Sequence, residues 1–255
     1  VSLLTHWDGE PVQVWARIWR TPLLEAHDLL TSTNDRAREV ADEGAGAFSV
    51  ILADEQTAGR GRSGRTWHSR PGVGLFLSTL LPGSGVPPLH LPLLVGLAAA
   101  RAVESTTPRL GIGLKWPNDL ILRGRKVGGI LCERHHGAVV TGIGLNVGHR
   151  AADFPPELAG VATSLEASAG EPVSLGSLVT SLLHELRVLC RHPADSLAQD
   201  LHEELAARDV LRDVEVHTQM AGPGVARGID TDGALLLETA DGTLKRVVAG
   251  SVRSL

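Results

Sequence analysis

Cysteine is scarce in this chain: Cys132 and Cys190 are the two among 255 residues, and they lack C-x-x-C spacing. That excludes a disulfide-stapled scaffold and implies two reduced thiols in a reducing compartment. It also argues against a zinc site, so His135-His136 beside Cys132 read as an exposed turn at the end of an apolar strand. No run reaches the ~18–20 uninterrupted apolar residues of a membrane span, and no basic segment followed by an apolar run opens the sequence. A cytoplasmic protein without a membrane partner is expected. A net charge of −5, from 24 basic and 29 acidic residues, gives no general attraction to nucleic acid, although a basic patch at 59–70 stands out. Internal repeats and low-complexity tracts are absent too. What is abundant is apolar sequence, 43% of the chain, enough for a large core.

The organisation follows from apolar periodicity. Residues 1–20 show weak amphipathic character and receive no assignment. Ser32-Thr33 precede a helix that ends near Gly44, and Phe48–Ala53 and Val73–Leu81 read as strands. Leu89–Val103, with small residues and Gly96, reads as a buried helix. Strands follow at Ile112–Trp116, Leu120–Leu122, Val127–Glu133 and Ala138–Val147, joined by turns too short for anything but antiparallel pairing. Two amphipathic helices near 174–191 and 194–207, separated by Pro193, come next. From Asp209 short strands alternate with tight turns: Val210–Val216, Gly224–Ile229, Ala234–Glu238 and Leu244–Val248. The fold class is therefore α+β, a mixed and largely antiparallel sheet with helices on one face, with residues 1–208 as the main domain and 209–255 as a small β-barrel docked on it.

The chemistry concentrates at 59–67, where Arg60, Arg62 and Arg65 alternate with Gly59, Gly61 and Gly64 and Trp67 closes the run. Glycines let backbone N–H groups approach an anion, guanidinium groups supply planar charged donors, and the indole offers a stacking face. The glycines fit G-x-G-x-x-G, but no helical period follows them, which argues against a dinucleotide turn and a nicotinamide oxidoreductase.

Ser32-Thr33-Asn34, Gln56-Thr57-Ala58, the arginine loop, Lys115-Trp116-Pro117-Asn118-Asp119, Lys126-Val127-Gly128-Gly129-Ile130-Leu131 and Gly142-Ile143-Gly144-Leu145-Asn146 occur in this order. Together they resemble the biotin–protein ligases, from about residue 30 to the C-terminus. The resemblance implies an SH3-like C-terminal barrel, with Gly228-Ile229-Asp230 and Gly233–Leu236 in its central hairpin. It implies an ATP-dependent, AMP-forming ligase that makes biotinyl-5′-AMP and passes biotin to a lysine of a biotin carboxyl carrier protein. Lipoate or octanoate ligases of the related fold, and a biotin-binding regulator without turnover, are the alternatives. Family members that repress transcription carry about 60 further residues ahead of the Ser-Thr-Asn motif for a winged helix. With 31 residues there, this chain is expected to be the monofunctional form without sequence-specific DNA binding. Whether it pairs as a homodimer is open.

The resemblance also implies roles. Lys126 and Arg62 are the catalytic candidates, Lys126 contacting the biotin carboxyl group and the α-phosphate. Ser32, Thr33, Asn34 and Gln56 would bond the ureido ring, while Arg60, Gly61 and Arg62 would cover the biotin chain. Arg60, Arg65, Trp67, Lys115, Asn118 and Asn146 would hold the nucleotide, with adenine stacked on Trp67. Asp119 is the carboxylate that would meet Mg²⁺ brought with ATP.

Overall fold

The computed structural model describes residues 2–83, 87–190 and 197–254. In chain order its elements are β1 (His6–Trp7), β2 (Glu10–Pro11), α1 (Val12–Trp19), β3 (Leu24–Leu30), α2 (Thr33–Asp42), β4 (Val50–Gln56), β5 (Gly74–Pro82) and α3 (His90–Thr106). There follow β6 (Gly113–Lys115), β7 (Asp119–Leu122), β8 (Arg125–His135), β9 (Ala138–Asn146), α4 (Leu165–Ala169), α5 (Leu175–Leu189) and α6 (Gln199–Arg208). The chain closes with β10 (Glu215–Thr218), β11 (Gly222–Ile229), β12 (Leu235–Glu238), β13 (Leu244–Val247) and β14 (Val252–Ser254). Pro193, expected between α5 and α6, lies outside the described residues. Among those residues no helix is long and apolar enough to cross a membrane.

Seven strands form the main sheet in the order β3-β4-β5-β9-β8-β7-β6. β3 and β4 are parallel, joined through α2, and every other neighbour pair is antiparallel, as the short turns require. Strand alternation sends side chains to two different cores. Val50 and Leu52 join the large cluster built on α3 and α5, whereas Ile51 and Ala53 meet Ala37 and Val40 of α2 in a smaller one. This modifies the one-face expectation: α3 and α5 cover one face, and α2 packs across part of the other. The cause is the amphipathic stripe of α2, whose Ala37 and Val40 are wholly buried.

Residues 2–20 are held by aromatic contacts that their short elements hide from a periodicity search. Trp15 stacks on Trp19 at 5.2 Å, Trp7 sits edge-on at 5.6 Å from Trp19, and the Trp19 indole N–H donates to Thr180 on α5 at 2.9 Å. α5 in turn buries Leu178, Leu182 and Leu186, each contributing about 1.5–3 kcal/mol.

The C-terminal sheet runs β13-β12-β11-β10-β14, antiparallel throughout. Its two end strands are not paired with each other, so the expected barrel is an open five-stranded sheet by hydrogen bonding. The strand expected at Val210–Val216 begins only at Glu215, because Asp209 and Val210 still pair with Leu114 of β6 and Asp213 takes a positive φ of 61°. The two sheets meet where the buried Trp116 indole donates to the Gly233 carbonyl at 3.0 Å.

Candidate active site

On the α2 face of the main sheet lies a cavity of about 710 Å³, within the range of small-molecule sites. Its floor is made by glycine. Gly129 pairs with Gly144 across β8 and β9, and their neighbours Ile130 and Ile143 point into the α3 core. The missing side chains leave room for Trp67: a Cβ on Gly144 would stand 2.7 Å from its ring, and one on Gly129 3.0 Å. A Cβ on Gly142 would collide with Asn34 Oδ1. The Gly-Gly-Ile and Gly-Ile-Gly motifs are thus a surface on which an indole and an amide lie directly against backbone.

All the site residues anticipated above line this one cavity. At one end the groups are neutral. The Thr33 amide donates to Gln56 Oε1 at 2.8 Å, and buried Ser78 bonds Asn34 Oδ1 at 2.6 Å and Thr33 Oγ1 at 2.7 Å. Asn34 Nδ2 donates to Glu133 Oε2 at 2.8 Å. Ser32 stands at the N-cap position of α2 but makes no side-chain cap bond, so its hydroxyl is not committed to the helix. These side chains sit in fixed orientations that present amide and hydroxyl groups to a neutral polar ring.

The other end is cationic. Arg62, Arg65, Lys115 and Lys126 stand against one lining carboxylate, Asp119, in a protein whose net charge is −5, while Arg60 lines the cavity nearer Asn34. Lys126 Nζ bonds Asp119 Oδ1 at 2.6 Å and lies 5.4 Å from the centre of the Trp67 ring. Its backbone is held on both sides by a segment from 161–163, with N–H to Val161 O at 2.8 Å and C=O from Thr163 N at 2.9 Å. Arg62 reaches only Asn118 Oδ1, at 3.4 Å. Burial pushes its guanidinium below the usual arginine value, and Asp119 pulls the other way, so it is a partly desolvated cation with no ion-pair partner among the described residues. Asn118 and Asn146 each place one amide donor on a backbone carbonyl, Ile130 O at 2.9 Å and Thr163 O at 3.0 Å, leaving the rest of each amide for the cavity.

The arginine loop is a small hairpin, not a strand-to-helix turn. Gly61 N donates to Arg65 O at 2.7 Å and Trp67 N to Gly59 O at 2.8 Å, with a single 3₁₀ turn at Arg62–Gly64 between. Arg60 is already paired. Its guanidinium meets Asp35 Oδ1 at 2.8 Å and Glu133 Oε2 at 3.5 Å.

Sequence reasoning missed Ser78, Asp35, Glu133 and the wall at 158–162. Ser78 and Glu133 did leave a signal, a polar residue inside or at the end of an otherwise apolar strand, but only tertiary pairing says what they touch. His135 and His136 sit at the tip of the β8–β9 hairpin, with His135 Nε2 2.8 Å from Asp42, and line no part of the cavity. Burial pushes the Cys132 thiol up to about 12, which suits an inert side chain.

The pattern of the biotin/lipoate A/B protein ligase family matches residues 28–149, and that of the biotin protein ligase C-terminal domain matches 223–253. The bifunctional ligase/repressor BirA of Bacillus subtilis is 36% identical over 239 residues, covering 89% of this chain and 72% of that protein. The biotin–[acetyl-CoA-carboxylase] ligase of Mycobacterium tuberculosis is 34% identical, over 87% of this chain and 85% of the relative. Among solved structures, the biotin protein ligase of Aquifex aeolicus in complex with biotin and ATP superposes with a TM-score of 0.82 at 29% identity, covering 91% of this chain and 99% of that one. With the ordered motifs gathered round one cavity, these similarities mean that the chain belongs to the biotin/lipoate protein ligase family, on its biotin protein ligase branch.

Proposed function

We propose that this protein activates biotin with ATP and transfers it to a lysine of a biotin carboxyl carrier protein. The observation that carries the reading is the division of the cavity into a neutral polar end and a cationic end. Biotin has the same division, a ureido ring at one end of an apolar chain and a carboxylate at the other. Ser32, Thr33, Asn34 and Gln56 receive the ring, and Lys126 holds the carboxylate beside the α-phosphate. A carboxylate oxygen attacks the α-phosphorus, the bond to the β-phosphate oxygen breaks, and pyrophosphate leaves with its electron pair.

Two anions are brought together in this step, so the repulsion must be neutralised where it develops. Arg62 is suited to that because it is partly desolvated and has no carboxylate of its own among the described residues. Lys115 and Arg65 extend the positive surface toward the phosphates, while Trp67 carries the adenine on the face turned away from Gly144. Asp119, already beside Lys126, would hold a Mg²⁺ that arrives with ATP. Such an ion supplies further charge neutralisation. In the second half a neutral lysine amine attacks the acyl carbon of the mixed anhydride, the acyl C–O bond to the phosphate breaks as AMP leaves with its electron pair, and the amine proton passes to solvent. Lys126 then polarises the acyl oxygen.

The test is pyrophosphate release from ATP by the purified chain with biotin, with lipoate and with neither, alongside thermal shifts with the two acids. Release that depends on biotin alone is expected. A polar end built to bond a ureido ring leaves amides unpaired against a dithiolane, and discrimination of several orders of magnitude follows. Equal turnover with lipoate would move the protein to the other branch of the family.

A further inference from the structure

Four charged side chains at the edge of the cavity form a group that the proposed chemistry does not use. Arg60 from the loop and Arg38 from α2 share two carboxylates, Asp35 on α2 and Glu133 on β8. Arg38 Nη1 is 3.1 Å from Glu133 Oε2, and Arg38 also bonds Asp35 directly. The same Glu133 oxygen accepts the Asn34 amide at 2.8 Å. One carboxylate therefore touches both the loop and the residue at the neutral end of the cavity.

Trp67 anchors one end of the loop on Gly129 and Lys126 of β8, and Arg62 meets Asn118; among the described residues the side-chain tie of the loop to α2 is this pairing of Arg60, which it shares with Glu133 of β8. We propose that Asp35 and Glu133 are the catch of the 59–67 loop, holding it through Arg60 against α2, and that Glu133 makes the hold depend on how Asn34 is oriented. Both are positioning residues, since they act through Arg60 and Asn34. The consequence for the reaction rests on the function proposed above: a ligand that settles at Asn34 stabilises the Glu133 arrangement that keeps the loop in place over the adenylate. Arg38 competes with Arg60 for the same oxygens and so weakens the catch.

That competition separates a catch from an ordinary packing role, because it reverses the sign of one variant. Hydrogen exchange across 59–67 is measured on the empty protein, with β5 and β9 as internal reference. Asp35→Asn and Glu133→Gln are each expected to accelerate the loop amides about threefold to tenfold, the effect of losing a partly exposed ion pair. Arg38→Ala, which leaves both carboxylates to Arg60, is expected to leave them at the parent rate or slower. Unchanged exchange in both carboxylate variants, or acceleration in Arg38→Ala equal to theirs, overturns the catch. The link to Asn34 is read from biotin affinity: Glu133→Gln keeps an acceptor for the amide and Glu133→Ala does not, so alanine should cost about ten times more affinity than glutamine. Equal losses overturn the link. A parent protein that releases no pyrophosphate with biotin would reject the proposed function, while the exchange measurement on the empty protein still decides the catch.

Discussion

Gly144→Ala tests the glycine floor with the smallest possible perturbation, one methyl group. The new Cβ would stand 2.7, 2.8 and 3.0 Å from Cε2, Cζ2 and Nε1 of Trp67, where ordinary carbon contacts begin near 3.5 Å, so the indole must rise by roughly 1 Å. No hydrogen bond opposes this, since the buried indole N–H has no partner among the described residues. The ring moves into the cavity, and the fold should therefore tolerate the change. What is lost is the room in which adenine would stack, an interaction of about 1–3 kcal/mol for a base on an aromatic face. That corresponds to a KM for ATP higher by roughly 5-fold to 150-fold. Biotin affinity measured without nucleotide should move by less than about threefold, because the neutral end lies against Asn34 and Gln56. Gly129→Ala, whose Cβ would meet the ring edge at 3.0 Å and Lys126 at 3.5 Å, should act in the same direction less strongly. An ATP KM within twofold of the parent, or a biotin affinity that falls in step with that for ATP, would refute both the floor and the place assigned to adenine.

Lys126→Met keeps the stem over Trp67 and removes the charge; losing two charge-assisted hydrogen bonds of ~1.5–3 kcal/mol each should slow adenylate formation by two to four orders of magnitude. Its melting temperature should stay within about 4 °C of the parent, since the pair with Asp119 is partly exposed, and biotinyl-AMP synthesis within tenfold of the parent would count against the role. Arg62→Gly should still form biotinyl-AMP but release it severalfold faster, and a mutant that retains the intermediate as long as the parent would remove Arg62 from the cover. Acid should loosen the junction of α3, α5 and α6. Burial raises Glu104 and Glu204, but their bonds to Arg208 and Arg101 outweigh it and hold both carboxyls below the ordinary glutamate value. Their contribution is therefore full above that value and lost as pH falls through the lowered pKa values. Arg208→Met should cost about 1–2 kcal/mol near neutrality and much less once pH has fallen below the lowered carboxyl pKa values, and an equal loss in both ranges, read by thermal melts, would contradict the assignment.

The order of polar motifs was enough to gather every anticipated site residue into one cavity, because each motif sits at the end of an apolar strand whose place in the sheet its turns dictate. Hairpin lengths alone required β6 to β9 to be antiparallel. The sequence was silent where a contact joins distant residues without local pattern. Glu133 meets Asn34 across 99 positions, and nothing near either one indicates the other. The tryptophan trio of residues 7–19 escaped for a related reason: two-residue strands and an eight-residue helix are too short for periodicity, and their order comes from α5, more than 150 positions on. The strand boundary at Glu215 was placed too early because Leu211 is buried and reads as strand, yet Asp209 and Val210 still belong to the edge of the main sheet.

The two ends of the cavity also explain why the motifs had to be read together. An Arg-Gly run alone is most often a solvated turn, and a lysine at a strand start most often an edge residue. Here the cavity-lining cations outnumber the lining carboxylates five to one while the whole chain is acidic, so the imbalance is local and the protein answers only part of it. Asp119 answers Lys126, and Asp35 with Glu133 answer Arg60. Among the described residues Arg62 has only an amide at 3.4 Å, in a place where burial already disfavours its charge. A desolvated guanidinium is costly to keep unless an anion arrives. That same cost is recovered as binding energy when a carboxylate and a polyphosphate enter, and it falls where the two would otherwise repel each other.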